Sequence, residues 1–267
     1  MEYLLVLIFV FLIALSWGSF LNVIAYRLAF DKPFFTKRSH CPNCYAVIAA
    51  YDNIPLLSWV LLRGVCRHCR NKISYVYPFI ELLTALVMTA LYIKVFYVHN
   101  MGFYEYSLES LGVFSAHALF FTGLIVAIAM DLRAMVISQL VSLWLVPVAF
   151  ICAYFNFLEI TFYQSILGAF LGYGILWIIA FIFKLITKKD GMGIGDMELL
   201  AMIGSFIGFF GGWVSLTLGS ILGAVFGGAY LALTHKTHAT RIPFGPFLGL
   251  GAILYFFLKE TIVSFLF

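Results

Sequence analysis

The sequence predicts an all-α polytopic membrane protein with about eight transmembrane helices and one small cytoplasmic loop domain. Three observations carry this. Of the 267 residues, 64% are hydrophobic and only 10% are charged, far from the composition of a soluble domain. Apolar runs long enough to cross about 30 Å of hydrocarbon recur along the chain. Only one polar interruption, 26–75, is longer than a loop, and it holds four of the five cysteines.

The spans are expected near 3–25, 77–98, 113–130, 139–157, 163–187, 197–210, 213–233 and 246–266. The stretch 197–233 reads as two spans because Gly211 and Gly212 interrupt it, and glycine suits a hairpin turn. Basic residues support this division. With the N-terminus outside, the loops 26–75, 131–138, 184–196 and 234–245 are cytoplasmic and hold 14 of the 16 Lys and Arg residues. Only Lys94 and Lys259 remain outside. Merging the two spans would move Lys236 and Arg241 outward. Both termini are then outside, with Glu2, Glu105, Glu109, Glu159 and Glu260 on the same side. The net charge of +4 is a topology signal and makes no case for a nucleic-acid partner. No basic stretch precedes the apolar residues 3–16, so the first span reads as retained rather than as a cleaved signal. No internal repeat is evident. The domain reading is a first transmembrane helix at 1–29, a loop domain at 30–76 and a transmembrane core at 77–267.

In the loop, Cys41 and Cys44 form one CxxC pair and Cys66 and Cys69 another, with 21 residues between the pairs. This is the spacing of a zinc-ribbon-like fold, in which four thiolates surround one tetrahedral ion. A reducing cytoplasm disfavours the rival reading of two disulfides. Four thiolates leave no open position for a catalytic water, so the zinc is structural. A segment this small has too little core to fold alone, and the metal supplies the deficit. His40 and His68 flank the knuckles as outer-shell groups. Cys152, inside the fourth span, reads as a small packing residue.

Ionisable groups in a span are costly and therefore functional candidates. Glu81 lies in the second span, Asp131 ends the third, and Asp196 opens the sixth after "GMGIG". In the eight-span topology the two aspartates share the cytoplasmic depth. Two carboxylates around one water are the equipment of an aspartyl protease: one activates the water and the other protonates the carbonyl or leaving amine. Gly193 and Gly195 would let backbone and substrate come close. Helix polarity puts the charge on Asp196, at a helix N-terminus, and the proton on Asp131, at a C-terminus.

These residues, with "GSFLNVIAYRL" at 18–28, "YPFIELLTA" at 77–85 and "PFGPFLGLGA" at 243–252, resemble the type IV prepilin peptidases, membrane aspartyl proteases of the GxGD type. The resemblance covers nearly the whole chain. It implies cleavage of a short basic leader from prepilins or pseudopilins at the cytoplasmic face of the bacterial inner membrane, with Asp131 and Asp196 catalytic. It also implies methylation of the new N-terminus by S-adenosylmethionine, and zinc on the four cysteines.

Two departures from the family's usual pattern stand out. Ser138 and Gln139 follow Ile137 where Pro and Asp are common, and Glu198 stands where Lys is common. There is no glycine fingerprint for a nucleotide cofactor, so a methyl-donor site would use other groups. Glu81, Asn22 and Arg27 are candidates for it or for substrate binding, and equally for helix packing or, for Arg27, interfacial anchoring. "PFGPFLGLGA" reads chiefly as the start of the last span. Asp190, Asp196 and Glu198 are placed to attract a basic leader, while the prepilin's apolar segment lies in the bilayer. The alternatives are a peptidase-inactive assembly factor, a peptidase without methyl transfer, and a proton-coupled transporter.

Overall fold

The computed structural model describes residues 2–33, 39–98, 103–104, 106–189, 191, 193–234 and 242–266. Glu105, Asp190, Lys236 and Arg241, used above in reading topology and charge, lie outside the described residues. The chain forms two compact units, 1–105 and 106–267, whereas the sequence reading grouped all of 77–267 in one core.

In the first unit, α1 (Glu2–Ala29) packs along α3 (Val76–Phe96). Their contact is lined by Leu21, Ala25, Ile80, Val87 and Leu91, all buried. Buried Asn22 donates from Nδ2 to the Tyr77 carbonyl over 3.0 Å, tying the two helices. Between them runs the loop, with a 3-10 turn at Ala50–Asn53 and a short helix, α2 (Leu57–Leu61). Tyr97–Val98 and Phe103–Tyr104 form a two-residue antiparallel ladder.

The second unit begins with α4 (Leu108–Ala134), whose start is fixed by a capping box between Ser107 and Ser110. A 3-10 turn at Gln139–Val141 leads to α5 (Leu145–Tyr154). Then α6 (Phe162–Thr187) opens on a Thr161/Gln164 capping box. Next come α7 (Ile194–Thr234) and α8 (Gly245–Leu266). The core gathers around α4, where Phe120 stacks on Phe206 of α7 at 4.9 Å and Phe121 meets Phe256 of α8 edge-on at 5.0 Å.

α7 is helical by hydrogen bonding but breaks at Gly208, with φ 77° and ψ 170°. In a straight helix Gly204 and Gly212 would stand about 12 Å apart. Here a Cβ on Gly212 would lie 3.4 Å from the Gly204 Cα. The chain therefore turns back on itself, and α7 is a pair of arms, 194–207 and 209–234. The first arm packs on α6, with Gly168 against Gly204, and the second on α8, with Ser215 against Gly251.

All eight expected apolar segments are thus helical among the described residues, six helices being long and apolar enough to cross a membrane when α7 is counted once. The turn falls at Gly208 rather than at Gly211 and Gly212. Two segments are short. α5 rises about 15 Å and the first arm of α7 about 21 Å at 1.5 Å per residue, less than the hydrocarbon thickness. The fourth expected span, 139–157, is shortened because its first residues form the 3-10 turn.

Candidate active site and metal centre

Asp131 lies one turn before the end of α4, which stops at Met135 in the left-handed conformation (φ 53°) with its N–H on the Asp131 carbonyl. The Asp131 side chain is buried, and its Oδ2 accepts the backbone N–H of Gly245 at 2.8 Å. Gly245 is the first residue of α8. Asp196 sits in the first turn of α7, half-buried, close enough to Asp131 for the two charges to act on each other. Both carboxylates thus meet a helix N-terminus, where the dipole favours an anion. The premise that only Asp196 enjoys this field fails, because α8 supplies Asp131 with one of its own.

Ile137 joins the two halves. A Cβ on Gly195 would stand 3.1 Å from the Ile137 Cβ, and one on Gly245 would stand 3.2 Å from its Cδ1 and 2.8 Å from the Asp131 carboxylate. Gly195 thus sits in close approach to the loop following Asp131, where a side chain would press Ile137 aside by a few tenths of an ångström. Gly193 is different: among the described residues its added Cβ would meet the Asp196 Oδ2 at 3.7 Å, an ordinary contact.

The two departures from the usual pattern meet each other. Gln139 donates from Nε2 to Glu198 Oε1 over 2.8 Å, and the Ser142 hydroxyl stands 3.3 Å from Glu198 Oε2. Glu198 is 5% exposed, so it does not present a charge to a basic leader. Ser138 caps the intervening turn by accepting from the Leu140 N–H. Gly245 belongs to a segment read from sequence chiefly as a helix start, with a wall of the site as the lesser alternative; its N–H on Asp131 puts it at the site. Its signal is a glycine between two prolines at a span edge.

The four cysteines converge. Their sulfur atoms all lie within 4.8 Å of one another, with Cys41 and Cys69 3.9 Å apart, and none is disulfide-bonded. Thiolates about 2.3 Å from one tetrahedral zinc stand about 3.8 Å apart, so the donor set fits that ion. The two knuckles repeat one hydrogen-bond pattern. Cys41 N–H donates to the Ala46 carbonyl and Tyr45 N–H to the Cys41 carbonyl; Cys66 and Asn71, with Arg70, do the same. Tyr45 and Arg70 both take positive φ, 57° and 58°.

The Asn71 N–H lowers the Cys69 thiol to about 7. For Cys44, the Ala46 N–H favours the thiolate, but burial and the three neighbouring thiols outweigh it and push the group to about 11. Nearby, Arg67 donates to both oxygens of Asp52 at 2.6–3.1 Å and holds it below the usual carboxylate range.

Glu81 is buried and accepts the Leu56 N–H at 2.8 Å, with Ser19 as a second partner. Leu56 has φ 59° and ψ −51°, a conformation an L-residue rarely takes. Asn22 is engaged with Tyr77, and Arg27 is half-buried in the last turn of α1. Glu81 and Asn22 thus hold the loop and the helix pair.

The family model "Bacterial Peptidase A24 N-terminal domain" matches residues 12–95, and "Type IV leader peptidase family" matches 118–228. A prepilin leader peptidase/N-methyltransferase of Aeromonas hydrophila is 35% identical over 269 residues, covering 91% of this chain and 87% of the relative. The enzyme of the same name from Pseudomonas aeruginosa is 31% identical, covering 90% and 86%. A type 4 prepilin-like proteins leader peptide-processing enzyme of Escherichia coli is 31% identical, covering 91% and 90%. No solved structure gives a significant match. Two family models in tandem, with relatives aligned over nearly the whole length, establish that the chain belongs to the type IV leader peptidase family.

Proposed function

We propose that the protein cleaves the basic leader from type IV prepilins or pseudopilins at the cytoplasmic face of the bacterial inner membrane, with Asp131 and Asp196 as the catalytic pair. The observation that carries this is their convergence at neighbouring helix ends, the Asp131 carboxylate fixed by the Gly245 N–H and Asp196 in the first turn of α7, near enough for the two charges to interact. One carboxylate takes a proton from a water whose oxygen adds to the scissile carbonyl carbon. The other gives a proton to the carbonyl oxygen. The tetrahedral species then collapses as the leaving nitrogen is protonated and its C–N bond breaks. Which aspartate starts protonated belongs to the coupled pair. The scissile bond must leave its helix to be attacked, since helical hydrogen bonding shields it.

Topology follows the basic loops, with the termini outside. An ion pair of Lys259 with Glu159 at 2.9 Å brings together two residues read as outer. Cys41, Cys44, Cys66 and Cys69 would hold structural zinc, which would clamp the two knuckles of the loop domain. The name carried by the Aeromonas and Pseudomonas relatives supports methylation of the new N-terminus by S-adenosylmethionine. Asn22 joins α1 to α3 and Glu81 holds the loop at Leu56, while Arg27 anchors the end of α1 at the interface. The assembly-factor alternative is not favoured: the altered positions Gln139 and Glu198 pair with each other instead of disrupting the site.

The test is mass spectrometry of a prepilin incubated with purified protein and S-adenosylmethionine. Leader loss should vanish in Asp131→Asn and in Asp196→Asn. A product gain of one methyl, about 14 Da, should persist in neither unless cleaved substrate is supplied. An intact leader across several prepilins would overturn the peptidase reading.

A further inference from the structure

We infer that Gln139, Glu198 and Ser142 form a latch that positions the two aspartates against each other. Glu198 lies two residues beyond Asp196 on the first arm of α7, whereas Gln139 and Ser142 belong to the turn that follows the Asp131 helix. Glu198 is 5% exposed and Ser142 is fully buried. Both oxygens of Glu198 face this turn: Oε1 takes the Gln139 amide at 2.8 Å and Oε2 stands 3.3 Å from the Ser142 hydroxyl. That hydroxyl also lies 3.2 Å from the Ser138 carbonyl, and the Ser138 Oγ accepts the Leu140 N–H at 3.3 Å. The turn is thus held internally before it holds Glu198.

The latch acts beside a second tie, Ile137, which touches Gly195 and Gly245. Gly195 precedes Asp196, and Gly245 donates to Asp131. Residues 137–142 thus tie the Asp131 segment to the Asp196 segment close to the two carboxylates, while Phe120 on Phe206 joins α4 to α7 farther away. The donors reaching Glu198 are a neutral amide and a neutral hydroxyl. Removing the amide leaves a buried oxygen without its donor, which costs more than the bond contributed. The turn would shift to recover a partner. Displacing one of two reacting groups by about 1 Å costs on the order of 100-fold in rate. None of the three side chains need touch substrate, so their effect is on turnover.

This rests on Asp131 and Asp196 being the catalytic pair. The experiment exchanges the partners. Gln139→Glu sets two carboxyl groups face to face and is expected to lower kcat about tenfold or more, with KM within about twofold, because positioning and not binding is affected. Glu198→Gln keeps an amide oxygen for Gln139 and should stay near native. The exchange Gln139→Glu/Glu198→Gln restores a donor–acceptor pair of reversed sense and should recover kcat to within about threefold of native.

Should Gln139→Glu resist purification, Gln139→Ala replaces it, again with kcat lowered and KM held. Native kcat in the broken variants, or a folded double exchange no faster than Gln139→Glu, overturns the latch. Asp131→Asn and Asp196→Asn are assayed alongside. Cleavage by either would overturn the catalytic assignment itself, a result separate from any outcome of the exchange.

Discussion

The backbone N–H of Gly245 meets the Asp131 carboxylate at 2.8 Å, joining the end of α4 to the start of α8 across 114 positions of sequence. An added Cβ at 245 would press on that carboxylate at 2.8 Å and on Ile137 at 3.2 Å. Gly245→Ala is therefore expected to displace the Asp131 side chain and lower kcat on the order of 100-fold. The protein should still fold, since most of α8 is untouched. Leader cleavage followed by mass, beside the melting temperature in detergent, checks both parts.

Gly208 turns α7 back on itself with φ 77° and ψ 170°, a region essentially confined to glycine. Among the described residues its added Cβ would meet Ile160 at an ordinary 3.4 Å, so the cost of substitution is backbone strain and not crowding. Gly208→Ala should destabilise the protein by about 1–3 kcal/mol. Gly174→Ala is the control: inside α6 with nothing within 4 Å, it should be neutral or stabilising by about 0.5–1 kcal/mol. Thermal unfolding of the two variants should move in different directions.

Metal loading of the cysteine cluster should release protons and weaken as pH falls, because all four sulfur atoms must be thiolates. Without metal the signs differ. Cys69, lowered to about 7, favours the folded loop above the ordinary thiol value near 9 and loses that contribution as pH falls through about 7. Cys44, raised to about 11, favours the folded loop below that ordinary value and loses the contribution as pH rises through about 11. Metal analysis should return one zinc per chain. A chromogenic zinc indicator should show release on acidification, and Cys44→Ser should abolish loading. Loss of zinc should expose the loop to protease before the transmembrane helices.

Glu81 accepts the N–H of strained Leu56, which gives a way to separate packing from chemistry. Glu81→Gln keeps an acceptor oxygen and should fold and methylate as the native protein does. Glu81→Ala strands a buried donor and should cost about 1–3 kcal/mol, seen as an earlier melting transition. Methyl transfer lost in Glu81→Gln at native stability would instead make this carboxylate part of the methyl-transfer site.

Much of this was legible from residue order, and the misses have physical causes. The Ser107 and Thr161 caps belong to short motifs, so the starts of α4 and α6 are local events. The turn of α7 was displaced because three nearby glycines offer it and only packing selects among them. Gly212 is used against Gly204 and Gly211 against Tyr255, which leaves Gly208 to take the unusual φ. The fourth span is shorter than its apolar run suggests because Gln139 and Ser142 turn toward a buried carboxylate. Their partner, Glu198, lies more than fifty residues away. Glu198 itself read as a surface charge, since burial of a carboxylate depends on donors that no sequence window contains.

Residue order alone suffices for the membrane class, the eight apolar segments, the two cysteine knuckles and the two aspartates. Hydropathy, knuckle spacing and isolated charge are properties of a few adjacent residues, and the bilayer or a metal ion acts on them directly. That Gly245 holds Asp131, that Ile137 bridges the segments carrying the two aspartates, and that Gln139 and Glu198 are partners emerges from the folded chain alone. Each of these depends on a distance between helices. Such distances come from how side chains pack across the interface, a property of the fold as a whole.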